Sequence, residues 1–251
     1  MRILDFQYEM KLTFSNEIKD QFFQLRCLPL DNEVQHVVDH KIKIFPMGIY
    51  STTKDGFGNT VLSGSTLEPH KQFSFNVSGK VEVDSDKFCT DRCHPLYRYE
   101  TELTKYTDDM DFVLIDDTFE NIIKDLSAQV YYALEYKPGC TTFSTTAYEA
   151  YKLKKGVCQD YAHITLAVLH HYHIPCRYVA GMMLGEGATH AWIEAYDGQR
   201  WYAYDPTNNK KVDDTYIALA KGRDWKDCCI DKGIFDGKDT KQKLKVKVKV
   251  K

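Results

Sequence analysis

Three residues in the second half of the chain have the types needed for nucleophilic chemistry: Cys158 in GVCQDYAH, His190 in THAW and Asp205 in AYDPTNN. A thiolate attacks carbonyl carbon, an imidazole moves the proton, and a carboxylate holds the imidazole in the tautomer that can accept it. Such a trio works only if separate elements bring it together.

Cys158 opens a run with helical period. Val157, Tyr161, Ile164, Val168 and Leu169 recur at the spacing of one helix face, and Ala162, Leu166 and Ala167 make the other face apolar. The expected helix is therefore buried nearly all round, led in by Gly156 and closed off by Ile174-Pro175. Cys158 falls in its first turn, where unpaired backbone N–H groups and the positive end of the dipole favour thiolate. Thiols so placed drop from a pKa of about 8.5 into the range of about 3.5–7.5. A buried structural cysteine needs no such placement.

His190 and Asp205 lie on two runs rich in aromatic and branched residues, THAWIEAY and QRWYAYDP, separated by Asp197-Gly198. Asp-Gly between such runs predicts a β-hairpin with a two-residue loop. That loop sets Tyr196 opposite Gln199 and, further along the ladder, His190 opposite Asp205. Directly opposed Cβ atoms are about 4.5–5.5 Å apart, within reach of an imidazole–carboxylate hydrogen bond. A four-residue loop is expected to keep this register, whereas a three-residue loop would slip it by one and separate the two faces.

The run GVCQDYAHITLAVLHHYHIPCRYVAG, followed by HAW and DPTNN, resembles the bacterial transglutaminase-like family of cysteine proteases. Four signatures occur in order: the Gly-Val-Cys-Gln-Asp helix start, Ile-Pro-x-Arg-Tyr-Val, His-Ala-Trp and Asp-Pro-Thr-Asn. The resemblance is specific from about Leu134 to Asn209, and weaker similarity reaches forward through DGFGN to a β-rich N-terminal region. It implies that Cys158 is the nucleophile, His190 the base and Asp205 its partner. It also implies a papain-like arrangement, with the cysteine helix packed across the sheet that carries the other two. Cys228 and Cys229 stand where the family more often has prolines, a departure in a peripheral loop.

Composition is that of a globular protein, with 43% hydrophobic and 27% charged residues. A net charge of −3 is too small to argue for nucleic acid or an acidic partner, and no nucleic-acid partner is expected. The N-terminal MRILDFQYEMKLTF lacks the apolar stretch of a signal peptide, and no apolar run approaches a membrane span, so a cytoplasmic setting with no membrane association is expected. The eight cysteines are then expected to be mostly free thiols. Cys89 and Cys93, with His94, lack the second pair that a zinc site requires, and no metal or cofactor is expected.

Residues 1–95 read as a β-sandwich of alternating strands, residues 96–220 as the transglutaminase-like core and residues 221–251 as a C-terminal segment. Within the core, Phe119, Ile122, Ile123, Leu126, Val130 and Leu134 stripe a helix that ends before Pro138-Gly139. Thr146-Ala-Tyr-Glu149 is a capping box. Helices followed by antiparallel strands make an α+β class. His170, His171 and His173 read as surface residues capping the cysteine helix. Lysine occupies every odd position from Lys241 to Lys251, a period-2 pattern expected to form an edge strand returning to the N-terminal sheet.

The chemistry implied is acyl transfer through a thioester. The Cys158 backbone N–H is one expected oxyanion donor, and Tyr136 in EYKPG, by resemblance to families with an aromatic residue before the cysteine, is the second. Gln159 and Asp160 match the motif and are read as supports behind the nucleophile. Trp192, on the same side as His190, either walls the site or is buried core. The substrate is a peptide or protein carboxamide. With water as acceptor the protein is a protease or amidase, the favoured reading; with an amine it is a transglutaminase. An arylamine acetyltransferase would carry Arg-Gly-Gly before the cysteine, where this chain has Lys-Gly-Val. A binding scaffold without activity is the further alternative.

From its helix-start position, Cys158 is expected to react with iodoacetamide near pH 7 faster than the other seven cysteines. Peptide mapping after brief alkylation checks this, and equal labelling of all eight would exclude activation.

Overall fold

A computed structural model describes all 251 residues. Its first strand, β1 (Arg2–Leu25), alternates so that Leu4, Phe6, Tyr8 and Met10 point into a core while the residues between them face outward. Strands β2 (Gln35–Phe45), β3 (Ile49–Lys54), β4 (Thr60–Thr66) and β5 (His70–Val83) follow. The second half begins with α1 (Phe119–Ala133), β6 (Glu135–Tyr136), α2 (Ala147–Leu153), β7 (Lys155–Gly156) and α3 (Cys158–His171). It continues through β8 (Cys176–Met183), β9 (Gly185–Gly187), β10 (His190–Tyr196), β11 (Trp201–Asp205), β12 (Lys210–Lys211) and β13 (Tyr216–Gly222). A short α4 (Trp225–Cys228), β14 (Asp231–Asp236) and β15 (Gln242–Val250) come last. No helix is long and apolar enough to cross a membrane. All eight cysteines are free thiols.

At 24 residues, β1 is long enough to serve two ladders. Its first part lies between β5 and β15, antiparallel to both, with Tyr8 opposite Val77 on one side and Val248 on the other. Register breaks on either side of Ile18 and Lys19, with Asp20 at φ 50, bend the strand. Beyond the bend it pairs with β4 and β14.

The second sheet is antiparallel throughout, in the order β12-β11-β10-β8-β13. Helix α3 packs on one face of it, against Ala191, Ile193 and Ala195 of β10, where the two alanines allow close approach. From the opposite face, Met182, Ile217 and Leu219 enter the core of the N-terminal sheet beside Leu4, Phe73 and Val250. The five-stranded sheet is thus covered on both sides, in the expected α+β arrangement of a cysteine helix on an antiparallel sheet. The α1 stripe buries Ile123, Leu126 and Val130 against α3. The capping box of α2 is present, with the Glu149 N–H donating to Thr146 Oγ1 at 3.2 Å and the Thr146 N–H to Glu149 Oε2 at 2.9 Å.

Two sequence expectations need correction. Tyr196 pairs with Trp201, so the β10–β11 loop has four residues, Asp197–Arg200, rather than two. The Asp197 carboxylate accepts the N–H groups of Gln199 and Arg200 at 2.8 and 2.9 Å, which holds the wider turn. The register is not kept but moves by two, which leaves His190 and Asp205 on one face, sets Asp205 opposite Trp192 and makes the His190–Asp205 relation diagonal. His170 is not a surface cap. It is a buried core residue whose Nε2–H donates to the Tyr97 carbonyl at 3.2 Å, and burial lowers its pKa. His171, by contrast, is exposed and stacks on Tyr106.

Strand β15 buries Val248 and Val250 beside β1. At about 1.5–3 kcal/mol for each fully buried valine, and about 2–4 °C per kcal/mol for a chain of this size, deleting residues 241–251 is expected to lower Tm by roughly 10 °C. Thermal melts of full-length and truncated protein check this; an unchanged Tm would mean that the strand contributes nothing to the fold.

Candidate active site

The turn before α3 explains the Gly-Val-Cys-Gln-Asp sequence. Strand β7 pairs in parallel with β6, which draws Tyr136 alongside Gly156 and the start of the helix. Val157 is the extended N-cap residue and Cys158 the first helical one. The Asp160 Oδ2 reaches back to accept the Val157 N–H at 2.7 Å and the Thr141 hydroxyl at 2.7 Å. A Cβ on residue 156 would lie 2.6 Å from the Asp160 Cβ, so only glycine there admits the carboxylate. Burial raises the Asp160 pKa, against the opposing hydrogen bonds from Thr141 and Val157. Gln159 donates at 3.4 Å to the Thr142 carbonyl, tying the same turn to the 141–145 loop. Both residues shape the helix start while Cys158 stays half-exposed.

His190 is the first residue of β10, so its ring sits at the end of the sheet, and Asp205 is the last residue of β11. The His190 Nε2 lies 2.7 Å from Asp205 Oδ2. The same oxygen accepts the Asn208 side-chain amide and the Tyr216 hydroxyl, each at 2.7 Å, while Oδ1 accepts the N–H groups of Thr207 and Asn208 at 2.9 and 3.2 Å. The Asp-Pro-Thr-Asn-Asn turn therefore folds back on its own aspartate, with Asn209 in the left-handed region at φ 47. Burial would raise the Asp205 pKa, but the His190 hydrogen bond and charge, with help from Asn208 and Tyr216, hold it below the ordinary carboxylate value.

The imidazole has the opposite balance. Burial opposes its protonation, yet the hydrogen bond and charge of Asp205, together with hydrogen bonding and charge from Cys158, push the His190 pKa up to about 9. Cys158 thus acts on the same ring as Asp205. Sequence-distant elements bring all three residues to one place.

That place opens into a cleft of about 550 Å3 lined by Tyr131, Tyr132, Leu134, Tyr136, His190 and Asn208, among others. Tyr136 is half-exposed, and its pKa is raised by partial burial first and by the charge of Cys158 second, which puts the phenol near the sulfur. Trp192 does not wall this cleft. It is buried, with its ring 6.5 Å from that of His190, and it lines a separate, more enclosed cavity behind the sheet with Val179, Trp201 and Tyr216. That cavity is also lined by Leu30, Gln35 and Val83 of the N-terminal region.

Sequence reading missed Tyr216 and Thr141. Tyr216 comes from β13, separated from β11 by two strands, and reaches Asp205 across the sheet face, past Trp192. No local pattern announces a contact of that kind. Asn208 stood inside a recognised motif, so a signal for it existed. Cys89, the candidate half of a metal pair, instead donates to Asp91 at 2.9 Å within the buried ionic cluster of Arg177.

Residues 114–206 match the sequence pattern of the transglutaminase-like superfamily, and residues 4–82 that of the bacterial transglutaminase-like N-terminal region. An uncharacterised protein of Mycobacterium leprae is 30% identical over 247 residues, which is 86% of this chain and 87% of the relative. A similarly uncharacterised protein of Mycobacterium tuberculosis is 27% identical over 255 residues, 85% of this chain and 81% of that one. A crystal structure of a candidate cysteine protease from Cytophaga hutchinsonii superposes with a TM-score of 0.74 over 98% of this chain and 91% of that one. At 18% identity that likeness speaks to the fold alone.

Because His190 is protonated below about pH 9, any reaction that uses it as an acid is expected to lose kcat/KM as pH rises through about 9. Asp205→Asn removes the charge that raises the ring, so it moves this loss to lower pH and depresses turnover about 10²–10⁴-fold. Far-UV circular dichroism checks that the variant is folded, and an unshifted pH profile would remove Asp205 from the system.

Proposed function

The chain belongs to the transglutaminase-like superfamily, and from that premise we propose that it is a cysteine-dependent acyl-transfer enzyme acting on peptide or carboxamide bonds, a protease or amidase. The observation that carries the reading is the single imidazole held by a buried carboxylate at 2.7 Å and acted on by a half-exposed thiol at a helix start.

The Cys158 sulfur adds as thiolate to the carbonyl carbon, and the oxygen takes the negative charge. The backbone N–H of Cys158, free at the helix N-terminus, and the Tyr136 hydroxyl are the donors that hold it. Collapse of the tetrahedral adduct breaks the C–N bond, and the amine leaves with the proton of His190. The resulting thioester and the neutral imidazole await an acceptor. Water, giving its proton to His190, adds to the thioester; the acid leaves and the thiolate–imidazolium pair is restored. Asp205 keeps the ring oriented and offsets its positive charge in each step, without itself taking a proton. The open cleft beside His190 gives water access to the thioester. No step needs a metal or cofactor. The expected partner is a peptide or protein substrate.

Mass spectrometry of the intact protein after exposure to glutamine-containing peptides, with and without a primary amine, tests the proposal. The expected result is an acyl adduct on Cys158 and hydrolysed peptide. Amine-linked peptide would assign transamidation instead, and untouched peptide with no adduct would leave a binding scaffold.

A further inference from the structure

Strand β15 has one paired edge and one mostly open edge. Its inner edge is bonded to β1 from Gln242 to Val250, whereas its outer edge meets β9 only at Val248, Lys249 and Val250. From Gln242 to Lys247 no strand or loop backbone pairs with that outer edge. Six residues of extended chain make a template of about 20 Å.

The side chains along this template alternate strictly. Lys243, Lys245 and Lys247 are exposed on one face, while Leu244, 57% exposed, and the half-buried Val246 lie on the other. The cationic face continues inward, because Lys245 stands directly opposite Lys11 of β1. Like charges directly opposed in a ladder destabilise it, while Glu9, two residues from Lys11 on the same face of β1, stands opposite Lys247. On the outward face of β1, the residues opposite Lys243, Lys245 and Lys247 are Thr13, Lys11 and Glu9, none of them aromatic. The face therefore lacks the rings and guanidinium groups on which single-stranded nucleic acid stacks.

We infer that the Gln242–Lys247 edge docks an extended acidic peptide as an added strand. Its main chain bonds to the open edge, its carboxylates at alternate positions meet Lys243, Lys245 and Lys247, and its intervening apolar side chains lie beside Leu244 and Val246. The lysines keep neutral and cationic strands off the edge; carboxylates at matching spacing turn that barrier into attraction and relieve the Lys11–Lys245 repulsion. The docked strand lies in line with β9, where Ala188 and Thr189 turn away toward His190. Its near end therefore abuts the segment that leads into β10. The inference concerns binding and holds whether or not Cys158 is catalytic.

The test uses full-length protein carrying Cys158→Ala, which removes turnover, and a labelled peptide of alternating Glu and Val followed by fluorescence anisotropy. The expected result is saturable binding that weakens at least tenfold when Lys243, Lys245 and Lys247 are all changed to Gln, in a variant that far-UV circular dichroism shows to be folded. N-methylation of alternate peptide amides is expected to weaken it as much, and Lys245→Glu to shift preference toward a Lys-Val peptide. Equal binding of the N-methylated peptide, or of one with its glutamates in a single block, would overturn strand addition and leave only a charged face. No binding at all, or displacement of the peptide by a single-stranded oligonucleotide of higher affinity, would overturn it too.

Discussion

A buried carboxylate sets the terms for the site. An ionised Asp205 with no access to water would be several kcal/mol too costly if its oxygens lacked partners. Five donors supply them, two from its own turn backbone, one from the Asn208 amide, one from Tyr216 and one from His190. The imidazole is thus held in place because the carboxylate cannot do without it. The protonation of His190 follows from the same bond, since the nearby negative charge outweighs the burial that would otherwise neutralise the ring. Turn, ring orientation and ring charge share one cause.

Positioning the thiol is a separate problem with a separate solution. The core that surrounds α3 hides most of the helix, yet a nucleophile must stay at the surface. The chain meets both demands by starting the helix at the sheet's end, where Cys158 is half-exposed while Ala162, Leu166 and Leu169 are sealed. Gly156 and Asp160 make that start possible, the first by leaving room and the second by satisfying the Val157 N–H. Behind the sheet, Trp192 and Tyr216 line a cavity together with Gln35 and Val83 of the N-terminal strands, which contribute no residue to the cleft lining. The two halves act as one body because Met182, Ile217 and Leu219 belong to the N-terminal core.

Local signals along the chain reach only part of this fold. The helix starts at Ala147 and Cys158 follow from a capping box and from a glycine before an apolar run, signals that act over a few residues. The β10–β11 hairpin was legible, but its register was not. Asp-Gly suits a two-residue loop, and the Asp197 side chain instead stabilises a four-residue one by capping the N–H groups of Gln199 and Arg200. The faces survived because the slip was even. His170 and Trp192 show the other limit, since a histidine near a helix end and a tryptophan beside a histidine carry no mark of what covers them.

The sequence by itself determined which segments become helix and strand, which face of each is apolar, and that a cysteine, a histidine and an aspartate fall at element ends. Those properties rest on periodicity, caps and turn residues, whose physics is confined to neighbouring positions. Only the tertiary structure decided that Tyr216 serves Asp205 from across the sheet, that Trp192 faces the N-terminal strands, and that one edge of β15 is left open. Each of these depends on how distant segments share a limited supply of buried volume and hydrogen-bond partners, a competition that has no signature along the chain.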